Sequence, residues 1–319
     1  MIMRGYEYEP LLNFRPSFNV WKHNFEAFPF NIMVNNCIKK CYSNSANFTT
    51  TKNVSISRLS YTSNNFTLPF IKISPRELEH TTLPTIIYYH GGGFICPLDT
   101  MMLNNASFYS EKLNIHILLP EYRLAPNNSS TIILSDCNNF LNFVVQNQKN
   151  LHVDLRQLIM LGDSAGGFLA TTTLLWSLRN TSISIRGLLL IYPVTDDEIE
   201  KYDSMNLRYA EWNKSATYHM WRLFRKKNNT ADNELLDSYI PVKQHDYSLF
   251  PKTYIEVQEY DTLKDEGITL AKLIENDNVP VTLKEIKGTY HGFDNMVENP
   301  FIDRVLTDRC KIIEAMLKA

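Results

Sequence analysis

The sequence has no surplus of either charge: 32 lysines and arginines stand against 34 aspartates and glutamates, for a formal net charge of −2. Without a basic field to draw in phosphate backbones, nucleic acid and anionic membrane surfaces are poor partners. Long apolar runs are missing too, and none approaches the ~18 residues that a spanning helix needs. The opening stretch, MIMRGYEYEPLLNF, lacks the basic-then-apolar pattern of a secretory signal. Cysteine is scarce. Five occur, Cys37, Cys41, Cys96, Cys137 and Cys310, an odd and scattered set with no paired framework. A cytoplasmic chain with reduced thiols is therefore the expectation. Cys37 and Cys41 have no second ligand pair to complete a zinc site, so no metal is expected.

What is present suits a large buried core: 44% of the residues are hydrophobic and 21% charged. At 319 residues the chain could hold two ordinary domains or one large α/β domain with an insertion. From residue 85 onward short apolar runs alternate with amphipathic stretches. The runs at 85–89 (TIIYY), 115–119 (IHILL), 158–161 (LIML), 187–192 (GLLLIY) and 253–257 (TYIEV) read as buried strands. Residues 279–286 alternate and read as a last strand nearer an edge. Helical patterns fall at 132–148, 165–178, 266–275 and 301–317. Strand and helix taking turns predicts a mostly parallel sheet with helices on both faces. Residues 53–59 and 66–73 predict an antiparallel hairpin that starts the sheet.

Two segments break the rhythm. Residues 1–50 are rich in aromatics and asparagine, and 196–248 is a long polar and aromatic stretch between two strands. A gap of that length inside a compact α/β unit is usually a functional insertion. The expected division is a core of 51–195 and 249–319, with 1–50 and 196–248 forming a cap over the sheet's carboxyl edge. The aromatics Tyr209, Trp212, Tyr218 and Trp221 either line a pocket beneath that cap or form its own core.

The strongest chemical signal is Gly162-Asp163-Ser164-Ala165-Gly166-Gly167, which follows an apolar strand and opens a helix. A sharp strand-to-helix turn puts the serine in strained backbone geometry, and side chains two positions away on either side would clash. The new helix aims N–H groups and its positive dipole end at the serine, so Ala165 is a candidate oxyanion donor. The second signal is His90-Gly91-Gly92-Gly93-Phe94, directly after TIIYY. Three consecutive glycines are entropically costly, so bare backbone must be needed there. An oxyanion hole is such a need, and it makes Gly91, Gly92 and Gly93 the candidates. His90 and Asp163 read as supporting residues of the two motifs, His90 as a hydrogen-bonding residue at the loop's base.

A serine hydroxyl needs a base at neutral pH. Of eight histidines, His291 lies in a glycine-flanked loop (GTYHGF) between the last strand and the last helix, at the carboxyl edge where Ser164 must be. His23, His80, His116, His152, His219 and His245 read as solvated or ordinarily packed. The acid should fall between Ser164 and His291, and Asp261 closes the strand TYIEVQEY at the same edge. Asp265 reads instead as a helix N-cap, with Glu266 favourable in the first turn.

Together these motifs resemble the hormone-sensitive-lipase-like family of α/β-hydrolases, which includes bacterial esterases and plant carboxylesterases. The resemblance runs from about residue 83 to the end. It rests on HGGGF (90–94), YRLAP (122–126), GDSAGG (162–167), DTLKDEG (261–267) and HGF (291–293) in the right order. It implies the α/β-hydrolase fold with a helical cap, an oxyanion hole from Gly92, Gly93 and Ala165, and the triad Ser164, Asp261 and His291. Thr262 stands where the family usually has proline. Asn127 replaces a common glutamate, Phe168 a common asparagine, and Pro97 a frequent small residue. The expected function is hydrolysis of small to medium apolar esters, with a small-molecule substrate and no cofactor. Rival readings are amide hydrolysis, a lyase use of the same pocket, or a ligand-binding member of the fold. The presence of His291 argues against the last.

Overall fold

In the computed structural model of the protein, residues 53–206, 212–295 and 299–318 are described. The expected N-terminal part of the cap, with His23, Cys37 and Cys41, lies outside the described residues, as does Tyr209.

Strands β1 (Val54–Ser63) and β2 (Phe66–Pro75) pair as an antiparallel hairpin. Its two turn residues, Asn64 and Asn65, have φ of 47° and 65°. A type I′ turn, one of the two-residue turns whose twist matches the strands, needs positive φ at both positions, and asparagine tolerates it. Six further strands follow: β3 (Leu83–Tyr89), β4 (His116–Pro120), β5 (Val153–Asp163), β6 (Gly187–Ile191), β7 (Lys252–Tyr260) and β8 (Val281–Tyr290). The sheet order is β1-β2-β4-β3-β5-β6-β7-β8. Only the β1–β2 and β2–β4 pairs are antiparallel. Every residue of β4 and of β6 is buried, as a sheet covered on both faces requires.

Eight helices are described among these residues: α1 (Thr100–Leu113), α2 (Ser130–Gln146), α3 (Gln148–Leu151), α4 (Ala165–Asn180), α5 (Lys214–Phe224), α6 (Thr230–Asp237), α7 (Lys264–Asn276) and α8 (Pro300–Leu317). The core divides at the sheet. On one face Phe140 of α2, Phe168 and Leu169 of α4 and Leu270 of α7 pack together. On the other, Tyr109 of α1 and Val305 and Ile313 of α8 close the opposite side. The expected alternation of strand and helix is present, with helices on both faces.

Helix α1 has no counterpart in the sequence reading. Its buried stripe includes Asn105, Ala106 and Ser110 beside Met102 and Tyr109, so the apolar periodicity is weak. Its start is nonetheless marked, because Asp99 accepts the Met101 N–H at 3.1 Å. Asp265 is not the N-cap of α7. The helix begins a residue earlier, and Asp265 accepts the Ser204 N–H at 2.8 Å, fixing the chain beyond β6. Glu266 is in the first turn but fully buried, where it accepts the Thr195 N–H at 2.7 Å. Burial pushes its carboxyl well above the usual range.

One ionic cluster ties the far face to the sheet. Arg309 of α8 donates to both oxygens of Glu256 on β7, at 3.0 and 2.6 Å, and to Asp294 at 2.6 Å. Tyr192, just past β6, donates to the other Asp294 oxygen at 2.6 Å, and Tyr254 donates to Glu256 at 2.8 Å. All three charged groups are at most 2% exposed. Removing the cation leaves two buried carboxylates unpaired, a loss of about 3–5 kcal/mol for such sites. Arg309→Met should lower the unfolding free energy in urea by that order. A change of under about 1 kcal/mol would mean that the cluster contributes little net stability.

Candidate active site

Strand β5 ends at Asp163, helix α4 begins at Ala165, and Ser164 is the whole turn between them. Its φ of 55° and ψ of −123° lie outside the regions that L-residues favour, a cost of about 1–3 kcal/mol. The surroundings hold it there. Ser164 N–H donates to Ile191 O, while its carbonyl accepts from Gly167 and Val194, each at 2.9 Å. The turn is closed so tightly that a Cβ on Gly162 would overlap the Gly166 carbonyl, and one on Gly166 the Tyr89 carbonyl. Only glycine fits at either place.

The loop after β3 lies alongside. Gly92 and Gly93 have φ of 99° and 63°. Asp163 ties the two motifs together, its Oδ1 accepting the Gly91 N–H at 3.1 Å. This corrects one expectation: the Gly91 N–H is occupied and cannot serve as an oxyanion donor. Among the described residues, the N–H groups of Gly92, Gly93 and Ala165 donate to nothing. His90 is buried beneath the loop. Its Nδ1 lies 2.8 Å from Gly91 O, and its ring stacks on Tyr122 at 4.3 Å, whose hydroxyl donates to His90 O at 2.6 Å. Burial pushes the imidazole down to about 4, so it is neutral and donates from Nδ1.

The third and fourth contributions come from the ends of β7 and β8. Ser164 Oγ is 2.8 Å from His291 Nε2, and His291 Nδ1 is 2.8 Å from Asp261 Oδ2. The other Asp261 oxygen accepts the Leu263 N–H at 2.9 Å, which fixes the carboxylate's angle. With Nδ1–H facing a carboxylate, Nε2 is left as the acceptor for the serine hydroxyl. Burial by itself would lower the His291 pKa. The Asp261 carboxylate, with Asp163 and Asp294 behind it, outweighs burial and leaves the pKa above the ordinary histidine value. Asp163 is itself pushed up to about 7, by burial first and then by Asp294.

The structure thus brings together Ser164, His291, Asp261, Gly92, Gly93 and Ala165 and leaves Asp265 out. Of the aromatics picked out between β6 and β7, Tyr218 is 59% exposed and lines a surface recess with Asp197, Ile199, Trp221, Arg222 and Arg225, none of them a residue of the triad. Trp221 is buried against Phe94, Phe168 and Phe224, with ring centroids 6.0, 5.4 and 5.9 Å away. Trp212 is half-buried beside His291. The sequence reading missed Tyr192, whose ring lies 4.8 Å from that of His291, and Asp294. No local pattern marks either, because only the folded chain brings Tyr192 to His291 and Arg309 to Asp294.

A family profile for the alpha/beta hydrolase fold matches residues 86–295. The chain belongs to the alpha/beta hydrolase fold family. The hormone-sensitive-lipase-like character of its motifs agrees with its relatives in this family. It is similar to carboxylesterase 20 of Arabidopsis thaliana, 30% identical over 255 residues, covering 76% of this chain and 78% of that one. It is similar as well to an ethyl acetate hydrolase of Pseudomonas putida, 28% identical over 230 residues, with 66% of each chain covered. An alpha/beta hydrolase of Acanthamoeba polyphaga mimivirus is 26% identical over 226 residues, and the match spans 69% of this chain and 63% of the viral protein. Among solved structures, a bacterial heroin esterase superposes with a TM-score of 0.81 at 22% identity, covering 96% of this chain and 98% of that one. At that identity the likeness speaks for the fold alone. Among the described residues, no helix is long and apolar enough to cross a membrane.

The electrostatics of this hydrolase site can be read directly. In a histidine-selective NMR titration, His291 should titrate above the ordinary value of about 6.5. Asp261→Asn removes the principal attracting charge and should lower that pKa. A His291 pKa that stays the same in the variant would show that Asp261 does not set it.

Proposed function

We propose that this protein is a serine hydrolase of the carboxylesterase type, acting on small to medium apolar esters. The observation that carries the reading is the unbroken line Ser164–His291–Asp261, with 2.8 Å at both links, beside backbone N–H groups that have no other acceptor. In this reading His291 takes the Ser164 proton as Oγ attacks the ester carbonyl. The tetrahedral oxyanion is held by Gly92, Gly93 and Ala165, and each donor of this kind is worth roughly 3–4 kcal/mol in the transition state. The imidazolium then gives its proton to the departing alcohol. Water, activated by the same imidazole, releases the acyl group from Ser164. Asp261 holds the imidazole's tautomer and stabilises its charged form. No step requires a metal or an organic cofactor.

Relatives named as a carboxylesterase and an ethyl acetate hydrolase support ester over amide substrates. We read residues 196–248, together with 1–50, as a cap over the site. The position of Trp212 beside His291 supports the first of these. A cytoplasmic location is part of the same reading, supported by the odd and scattered set of five cysteines in the sequence and by the free thiols of Cys137 and Cys310.

Ser164→Ala should lower kcat/KM on p-nitrophenyl esters by about 10⁵–10⁶ while leaving the melting transition in place. In the native protein kcat/KM should fall as pH drops through a pKa above about 6.5, because only the neutral imidazole accepts the serine proton. Activity in Ser164→Ala within about tenfold of the wild type, or a flat profile from about pH 5 to 8, would move the chemistry elsewhere.

A further inference from the structure

Trp212 stands immediately before helix α5 and spans the reacting groups. Its ring centroid is 5.7 Å from that of His291, with 34° between the planes. A Cβ placed on Gly93 would lie 3.1 Å from the Trp212 Cη2 and 3.5 Å from the Met220 Cγ. The indole therefore reaches from the base to the loop that holds Gly93.

That position is fixed at both ends of the residue. The indole N–H donates to Thr217 Oγ1 at 2.9 Å, and the Thr217 hydroxyl donates on to Asn213 O at 3.3 Å. Asn213 caps α5 by accepting the Ala216 N–H at 2.9 Å. On the main chain, the Trp212 carbonyl accepts the Thr262 hydroxyl at 2.9 Å. Thr262 follows Asp261, and a proline at that position would have no hydroxyl to give. The contact thus links the acid's loop directly to the residue lying over the base.

The geometry points to Trp212 as the residue that sets the size of the alcohol portion of the ester, with Thr262 as its positioning residue. This rests on the acyl-transfer reading above. In that reaction the oxyanion turns toward Gly92 and Gly93, and the alcohol oxygen must lie near His291 Nε2 to receive its proton. A wall that touches both the glycine loop and the imidazole faces the edge of the tetrahedral centre that carries the alcohol. The substrates favoured are therefore esters of small, unbranched alcohols, and the acyl chain runs off another side. Swinging the indole aside to admit a branched alcohol would break its bond to Thr217 and uncover apolar surface.

The test uses two ester series on the wild type, Trp212→Ala, Trp212→Phe and Thr262→Val. One varies the alcohol of an acetate from ethyl to cyclohexyl, and the other varies the acyl chain of an ethyl ester from acetate to octanoate. Comparing each ester between variant and wild type cancels its intrinsic reactivity. Trp212→Ala should raise the cyclohexyl-to-ethyl ratio of kcat/KM by about 10–100-fold and move the octanoate-to-acetate ratio by less than about threefold. Trp212→Phe, which keeps most of the packing, and Thr262→Val should shift the alcohol ratio the same way by less. An unmoved alcohol ratio in variants that melt cooperatively overturns the inference, as does a shift confined to the acyl ratio. Both outcomes leave the esterase reading standing. A wild type that turns over no ester takes both down.

Discussion

The site depends on one conformational constraint, the turn at Ser164. A residue with φ of 55° and ψ of −123° between a strand and a helix is unfavourable in isolation. It persists because β5 lies between β3 and β6, so main-chain groups on both sides can hold it. Ile191 O, at the end of β6, receives the Ser164 N–H, and Val194 returns a bond to its carbonyl. The Tyr89 carbonyl, at the end of β3, lies where a Cβ on Gly166 would be. Only eleven glycines occur in the chain, and six of them are Gly91, Gly92, Gly93, Gly162, Gly166 and Gly167. Conformational freedom is thus concentrated where backbones must nearly touch, and the result is a hydroxyl presented at a helix N-terminus.

Around that hydroxyl the electrostatics are arranged by burial. Asp261, Asp163 and Asp294 are all at most 3% exposed, and each raises the affinity of His291 for a proton or supports a residue that does. So many carboxylates in one region would repel each other without a counter-charge. Arg309 supplies it from the last helix, bonding Asp294 and Glu256 together. The Asp294–Tyr192 bond joins the His291 loop to the end of β6, next to the elbow. Stability and site geometry therefore share the same buried bonds, which run from Arg309 on α8 through Asp294 to Tyr192 at the end of β6.

Much of this was legible in the sequence where the signal is local. Apolar runs marked β3 to β7, and glycine spacing marked the elbow and the loop after β3. The position of His291 between the last strand and the last helix placed it at the sheet's carboxyl edge. Other features are set by tertiary structure and have no local mark. Helix α1 buries Asn105 and Ser110, which hide its amphipathic face. The Gly91 N–H looks available until Asp163 is seen to take it. Asp265 has the residue type and spacing of an N-cap, yet Ser204 arrives from 61 residues away to engage it instead. Trp212 and Thr262 each stand out in the sequence, one as an aromatic of the insertion and the other where the family usually has proline, but only the folded chain shows the bond between them.

The most direct test of the central claim is to treat the protein with a fluorophosphonate and locate the adduct by mass spectrometry. The account predicts a single adduct on the peptide carrying Ser164, formed more slowly as pH falls through the His291 pKa. A folded protein that takes no label, or takes it on another residue, would contradict the assignment of Ser164 as an activated nucleophile.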